Sequence, residues 1–104
     1  MRRGDVWWAA LPAPTGRRPV VLLSRNEMYA MRELVTVAPL TTRIRRIPTE
    51  VILGREDGLS RRCVANLDTI TTIDKQALTA RITSLTPAKL AAVDQALKFA
   101  LGLR

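Results

Sequence analysis

The chain has 104 residues, 47% of them hydrophobic, with a formal net charge of +8, one cysteine and no histidine. This length suits one domain with a modest core of its own, residues 1–104 as a single unit. A lone cysteine excludes an internal disulfide and fits a reducing cytoplasm, and the missing histidine excludes His-based catalytic triads and zinc-type ligand spacings.

In chain order, Gly4 to Leu11 (GDVWWAAL) reads as a strand. The charged start and Trp7-Trp8 leave no signal-like apolar stretch, and no apolar run reaches the roughly 18 residues of a membrane span. Pro12, Pro14 and Gly16 mark a loop. Pro19 to Ser24 reads as a buried strand, because its apolar residues are continuous rather than alternating. Asn26 to Arg32 suits a short helical turn, and Leu34 to Leu40 a strand whose end Pro39 weakens. Thr41 to Pro48 is polar and basic, a loop. Thr49 to Leu53 returns to strand, and Gly54 to Arg62 is a charged turn. Cys63 to Leu67, Thr69 to Ile73 and Ala80 to Leu85 complete the strand series.

The period then changes. Thr86-Pro87 is a helix start, with a Thr N-cap and Pro at the first helical position. Leu90, Val93, Leu97 and Leu101 follow at helical spacing and are expected to face the core, with Gly102 as the stop. The expected fold is mainly β: six or seven short strands in a small, strongly bent sheet or barrel, covered by one C-terminal α-helix. Trp7 and Trp8 are adjacent and so face opposite sides of their strand, at least one in the core and the other at an interface or as a stacking surface for a base. Cys63 reads as a small buried residue.

Only Lys75, Lys89 and Lys98 among the basic residues are lysines; the rest are arginines. Arginine suits planar, bidentate contact with phosphate and carboxylate, so the charge predicts attraction to nucleic acid or to an acidic protein segment. Arg17-Arg18 at the mouth of a buried strand is the sharpest instance. By itself it reads first as a solvated strand end, with the charged floor of an anion site as the alternative.

The ordered set Arg3-Gly4-Asp5-Val6-Trp7-Trp8, Gly16-Arg17-Arg18-Pro19-Val20, Val37-Ala38-Pro39-Leu40-Thr41, Thr72-Ile73-Asp74-Lys75 and Ala100-Leu101-Gly102-Leu103 closely resembles the MazF/PemK toxin family over nearly the whole chain. The resemblance implies an SH3-like barrel with a C-terminal helix, assembled as a homodimer. It implies cleavage of single-stranded RNA, mainly messenger RNA, with no metal or other cofactor. It also implies neutralisation by an antitoxin whose acidic, disordered tail crosses the site, with promoter DNA bound only through that antitoxin and no membrane partner.

On the family pattern Arg18 matches the catalytic arginine before the proline, and Thr41 the catalytic threonine. Arg17 and Thr42 stand beside them as further substrate contacts, with Thr42 able to replace Thr41 in register. Arg43 and Arg45, in Arg43-Ile44-Arg45-Arg46, share a side if the loop is extended, where they would track the RNA backbone. Asn66 and Asp68 are candidates for reading base edges, with Asp68 also a candidate base toward the 2′-OH; an ordinary turn explains both equally well. Two features depart from the pattern. The loop Leu11 to Gly16 is short, and Thr69 and Thr71 stand where many relatives carry Gln and Arg. An alternative on the same fold is a protein-binding inhibitor such as a DNA gyrase poison. A third is a noncatalytic nucleic-acid-binding barrel.

Overall fold

The computed structural model describes residues 1–104. Strands β1 (Asp5–Ala10) and β2 (Arg17–Leu22) form an antiparallel pair. A single helical turn, α1 (Met28–Met31), leads to β3 (Leu34–Thr41) and β4 (Glu50–Leu53). Then come β5 (Cys63–Asn66), β6 (Thr71–Asp74), β7 (Leu78–Ser84) and the C-terminal helix α2 (Pro87–Leu101). The ladder runs β4-β5-β3-β2-β1-β7, and β6 joins β3. All seven expected strands and the helix are present. The sheet bends about β3, which pairs with β6 from Leu34 to Val37 and with β5 at Leu40 and Thr41. It does not close: β4 and β7 end the ladder, and β6 pairs with β3 alone.

β6 and β7 are shifted by about two residues from expectation, and two differences bear on the site. β2 begins at Arg17 rather than Pro19, so both arginines are strand residues, paired to Ala10 and Ala9. Pro39 does not end β3. It falls between the stretch bonded to β6 and the stretch bonded to β5, where no ladder bond is asked of its missing N–H.

The continuous apolar run of β2 is explained by burial on both faces of the sheet. Val20 and Leu22 belong to a cluster with Ala9, Val35, Val37 and Leu78, and Val21 belongs to the main core. The main core lies beneath α2 and includes Val6, Leu40, Leu53, Leu67 and Val93. On α2, Val93 and Ala96 are buried, and Leu90, Leu97 and Ala100 pack beside them. Leu101 was expected on this stripe but is 53% exposed. It sits at the edge of the apolar arc, one residue before the left-handed Gly102 (φ 69°) turns the chain away. The Thr86 hydroxyl accepts from the Lys89 N–H as the expected N-cap.

Polar ties hold the helix and termini to the open edges. Lys89 Nζ donates to the Ile52 carbonyl of β4 at 2.9 Å and lies 3.5 Å from buried Asp57. Asp5 accepts from the Ser84 hydroxyl at 2.6 Å and the Arg2 N–H at 3.0 Å. Burial pushes the Asp5 pKa up, but these bonds outweigh it and hold the carboxyl below its ordinary value. Burial pushes the Tyr29 pKa to about 12, with its hydroxyl donating to the Ser24 carbonyl. No helix is long and apolar enough to cross a membrane.

Candidate functional site

Pairing of β2 with β3 brings the two leading candidates together. Leu22 stands opposite Val37, Val21 opposite Ala38 and Val20 opposite Pro39. Continued two residues, that register sets Arg18 across from Thr41. The side chain agrees: Arg18 Nη1 donates to the Leu40 carbonyl at 3.4 Å, placing the half-buried guanidinium at the end of β3. The Thr41 hydroxyl oxygen accepts from the Arg43 N–H at 3.2 Å. This is the strand-end cap that an ordinary threonine would make, and it leaves the hydroxyl proton free to donate. A fixed cation and a hydroxyl donor thus converge on one point, a combination suited to phosphate oxygens.

Arg17 does not share this position. Adjacent strand residues face opposite ways, and the Arg17 guanidinium stacks over the Trp8 ring, 3.9 Å from its centroid. Trp8 in turn lines a cavity of about 550 Å³. The floor of that cavity is apolar, with Pro19, Leu40 and Ile82, and Thr41 and Thr42 form part of its wall. The segment Gly58 to Arg61 makes the opposite wall. Gly58 fixes it there, since its φ is 92° and an added Cβ would lie 2.5 Å from Thr83 Oγ1. Trp7 faces the other way and packs on the second cluster.

The basic loop after Thr41 is not simply extended, so Arg43 and Arg45 do not form one rail. Buried Glu50 organises it: one carboxylate oxygen accepts from the backbone N–H groups of Arg45 (2.8 Å) and Arg46 (3.0 Å). Arg46 takes the left-handed conformation, φ 57°. The Arg45 guanidinium lies 4.0 Å from the second Glu50 oxygen, whereas Thr42 and Arg43 are exposed.

Asn66 follows Ala65, which pairs with Leu40, so it stands on the strand next to the end of β3. Asn66 is 7% exposed, and its side-chain oxygen accepts from the Asp68 N–H, capping the short turn Leu67–Thr69. Asp68 accepts from the Thr49 hydroxyl at 2.6 Å. Together they tie this turn to the start of β4, which is the turn reading of these residues, and neither lines the cavity. Cys63 is buried in the cavity wall, and burial pushes its thiol pKa up, which keeps it a poor nucleophile at neutral pH. No group of three or more His, Cys, Asp or Glu side chains gathers anywhere to hold a metal ion.

Sequence reasoning left one of the adjacent tryptophans as an interface or stacking surface without saying which, and it missed the Ser60-Arg61 wall and Glu50. The register of β1 on β2, with Trp8 opposite Pro19, puts Trp8 on the Arg17 face. Glu50 lies only a turn beyond the N–H groups it accepts from, but nothing in the sequence marks its carboxylate as buried.

Residues 2–101 match the family model for "PemK-like, MazF-like toxin of type II toxin-antitoxin system". The chain is 38% identical over 100 residues to the probable endoribonuclease MazF5 of Mycobacterium tuberculosis, covering 95% of this chain and 91% of that protein. Among solved structures it is similar to the M. tuberculosis toxin MazF-mt6, with a TM-score of 0.89, 31% identity and coverage of 96% of this chain and 98% of the other. It is also similar to a mycobacterial endoribonuclease in complex with its cognate antitoxin, with a TM-score of 0.87, 33% identity and coverage of 100% and 97%.

Proposed function

The chain belongs to the PemK-like, MazF-like toxins of type II toxin–antitoxin systems, and from that membership we propose that it is an endoribonuclease that cuts single-stranded RNA, mainly messenger RNA, at short sequences without a metal. The observation that carries this reading is the convergence of Arg18 and Thr41 at the end of β3.

RNA supplies the nucleophile. The 2′-oxygen attacks the adjacent phosphorus and loses its proton, the bond from phosphorus to the 5′-oxygen breaks, and that oxygen leaves with a proton. The products are a 2′,3′-cyclic phosphate and a 5′-hydroxyl. Because the attack is intramolecular, holding the chain in line is worth several kcal/mol, up to ~7–11 in the best cases. Charge builds on the phosphate oxygens during attack. Arg18 stabilises it, helped by a hydrogen bond from Thr41. Arginine is too weak an acid to protonate the leaving oxygen well, so its role is electrostatic. Thr42, Arg43 and Arg45 contact the neighbouring backbone, and Arg17 contributes charge through its seat on Trp8.

The same basic surface suits an antitoxin with an acidic, disordered tail, in keeping with the antitoxin complex of a similar structure. We further place residues 1–104 as one toxin domain, acting in the cytoplasm as a homodimer and reaching promoter DNA only through the antitoxin. The endoribonuclease names of the relatives disfavour the gyrase-poison alternative. The test is cleavage of a long single-stranded RNA in EDTA with the ends mapped. Cuts at a short repeated motif, ending in a 2′,3′-cyclic phosphate, are expected. A folded protein that leaves several unrelated RNAs intact overturns the proposal.

A further inference from the structure

The cavity floored by Pro19, Leu40 and Ile82 is used by no step above. We propose that it is a regulatory site for a small molecule with an apolar body and one carboxylate, which acts on the catalytic pair through Leu40. Binding there is independent of the cleavage reading, and only the effect on rate rests on it.

Strand alternation separates this cavity from the catalytic point. Trp8 stands opposite Pro19, and Val20 opposite Pro39, so Trp8, Pro19 and Leu40 share one face of the sheet while Arg18 and Thr41 turn to the other. Leu40 belongs to both sides. Its side chain is part of the cavity floor, and its carbonyl accepts from Arg18 Nη1 at 3.4 Å. A ligand pressed against the Leu40 side chain therefore acts next to the catalytic pair without touching RNA.

The lining selects the ligand. Trp8, Pro19, Leu40, Leu59 and Ile82 make it apolar, and its volume of about 550 Å³ is that of a small-molecule site. No aspartate or glutamate lines it. Its one charged residue is Arg61, which is exposed and forms no ion pair in the chain. A second guanidinium, that of Arg17, lies on the Trp8 ring. Charge thus selects an anion, and the planar fork of Arg61 fits a carboxylate. The rest of the lining selects the body. Hydrocarbon leaves no polar atom unpaired there, whereas a body rich in donors and acceptors would meet little besides the hydroxyls of Ser60, Thr41 and Thr42.

The cavity is also ready-made. Leu59 is buried and Gly58 is seated on Thr83, which holds Ser60 and Arg61 in place. Just before them, Asp57 accepts from the Gly54 N–H at 2.9 Å and lies 3.5 Å from Lys89 Nζ of α2. Little of the wall has to be ordered on binding. The ligand favours the form in which Arg18 rests on the Leu40 carbonyl, so occupation holds that form and slows cleavage.

The probes are straight-chain carboxylates from acetate to octanoate, with octanamide as the uncharged control. Each is titrated by calorimetry into wild type, Arg61→Ala and Ser60→Trp, with folding checked by circular dichroism. Affinity is expected to rise about fourfold per added methylene, the worth of one buried CH₂, with a negative ΔCp. Arg61→Ala weakens octanoate binding about five- to tenfold and leaves octanamide unchanged. Ser60→Trp, which fills the cavity from an exposed position, abolishes binding. At saturation the wild-type cleavage rate in EDTA falls at least about fivefold, and the amide NMR signals of Leu40, Thr41 and Thr42 shift along the same binding curve. Octanoate binding with those shifts, in a protein that cuts no RNA, supports the site and counts only against the cleavage reading. Equal binding of acetate and octanoate overturns the site, as does octanoate binding that survives Ser60→Trp. Binding that moves neither those signals nor the rate overturns the action through Leu40.

Discussion

Replacing Arg18 by alanine separates catalysis from folding. In the folded chain the guanidinium has one protein partner, the Leu40 carbonyl, at a long 3.4 Å. The side chain is half-buried, and both neighbouring strands keep their ladder bonds without it. Losing one such bond costs about 1 kcal/mol or less. In the reaction the same group faces a phosphate gaining negative charge, and removing one preorganised donor of this kind costs ~10²–10³ in kcat. Arg18→Ala therefore lowers cleavage at least ~100-fold while shifting stability by under ~1 kcal/mol. Arg18→Lys keeps the charge but not the planar fork, so its rate falls between the two. The assay pairs initial cleavage rates in EDTA with urea unfolding curves. A folded Arg18→Ala protein that cuts RNA within about tenfold of wild type, a loss near 1.4 kcal/mol, would refute the assignment. So would a loss of rate that simply follows a loss of stability.

Glu50→Ala frees the Arg45 and Arg46 N–H groups and unmoors the basic loop, so KM for RNA is expected to rise several-fold with little change in kcat, and Glu50→Gln, which keeps the accepting oxygen, to restore it; steady-state kinetics of the three proteins decides. Asn66→Ala removes a buried cap and is expected to cost about 1 kcal/mol in urea unfolding while leaving the cleavage motif as it was. Tyr29 binds its proton more tightly folded than unfolded, so its contribution is complete below about pH 10 and is lost as pH rises toward about 12, a loss of roughly 2–3 kcal/mol. Unfolding curves across that range should fall more steeply for wild type than for Tyr29→Phe.

Local chemistry wrote much of this protein into its sequence. The Thr86 cap, Pro87 and Gly102 bound the helix because capping needs only neighbouring atoms, and the apolar run of β2 announced burial because no other environment tolerates it. The ordered motifs also carried the family, and with it the importance of Arg18 and Thr41. What the chain could not disclose are relations between distant residues. Strand periodicity leaves register free, so only the pairing of β2 with β3 brings the Arg18 guanidinium to the Leu40 carbonyl beside Thr41. Adjacent arginines look alike as letters, yet the alternating faces of a strand send Arg17 to Trp8 and Arg18 to the end of β3. Asn66 and Asp68 suit a base-reading site or a turn by composition, and only the fold shows the bonds they make to Thr49 and within the Leu67–Thr69 turn. Glu50 is close in sequence to Arg45 and Arg46, yet only the fold buries its carboxylate and turns their N–H groups toward it.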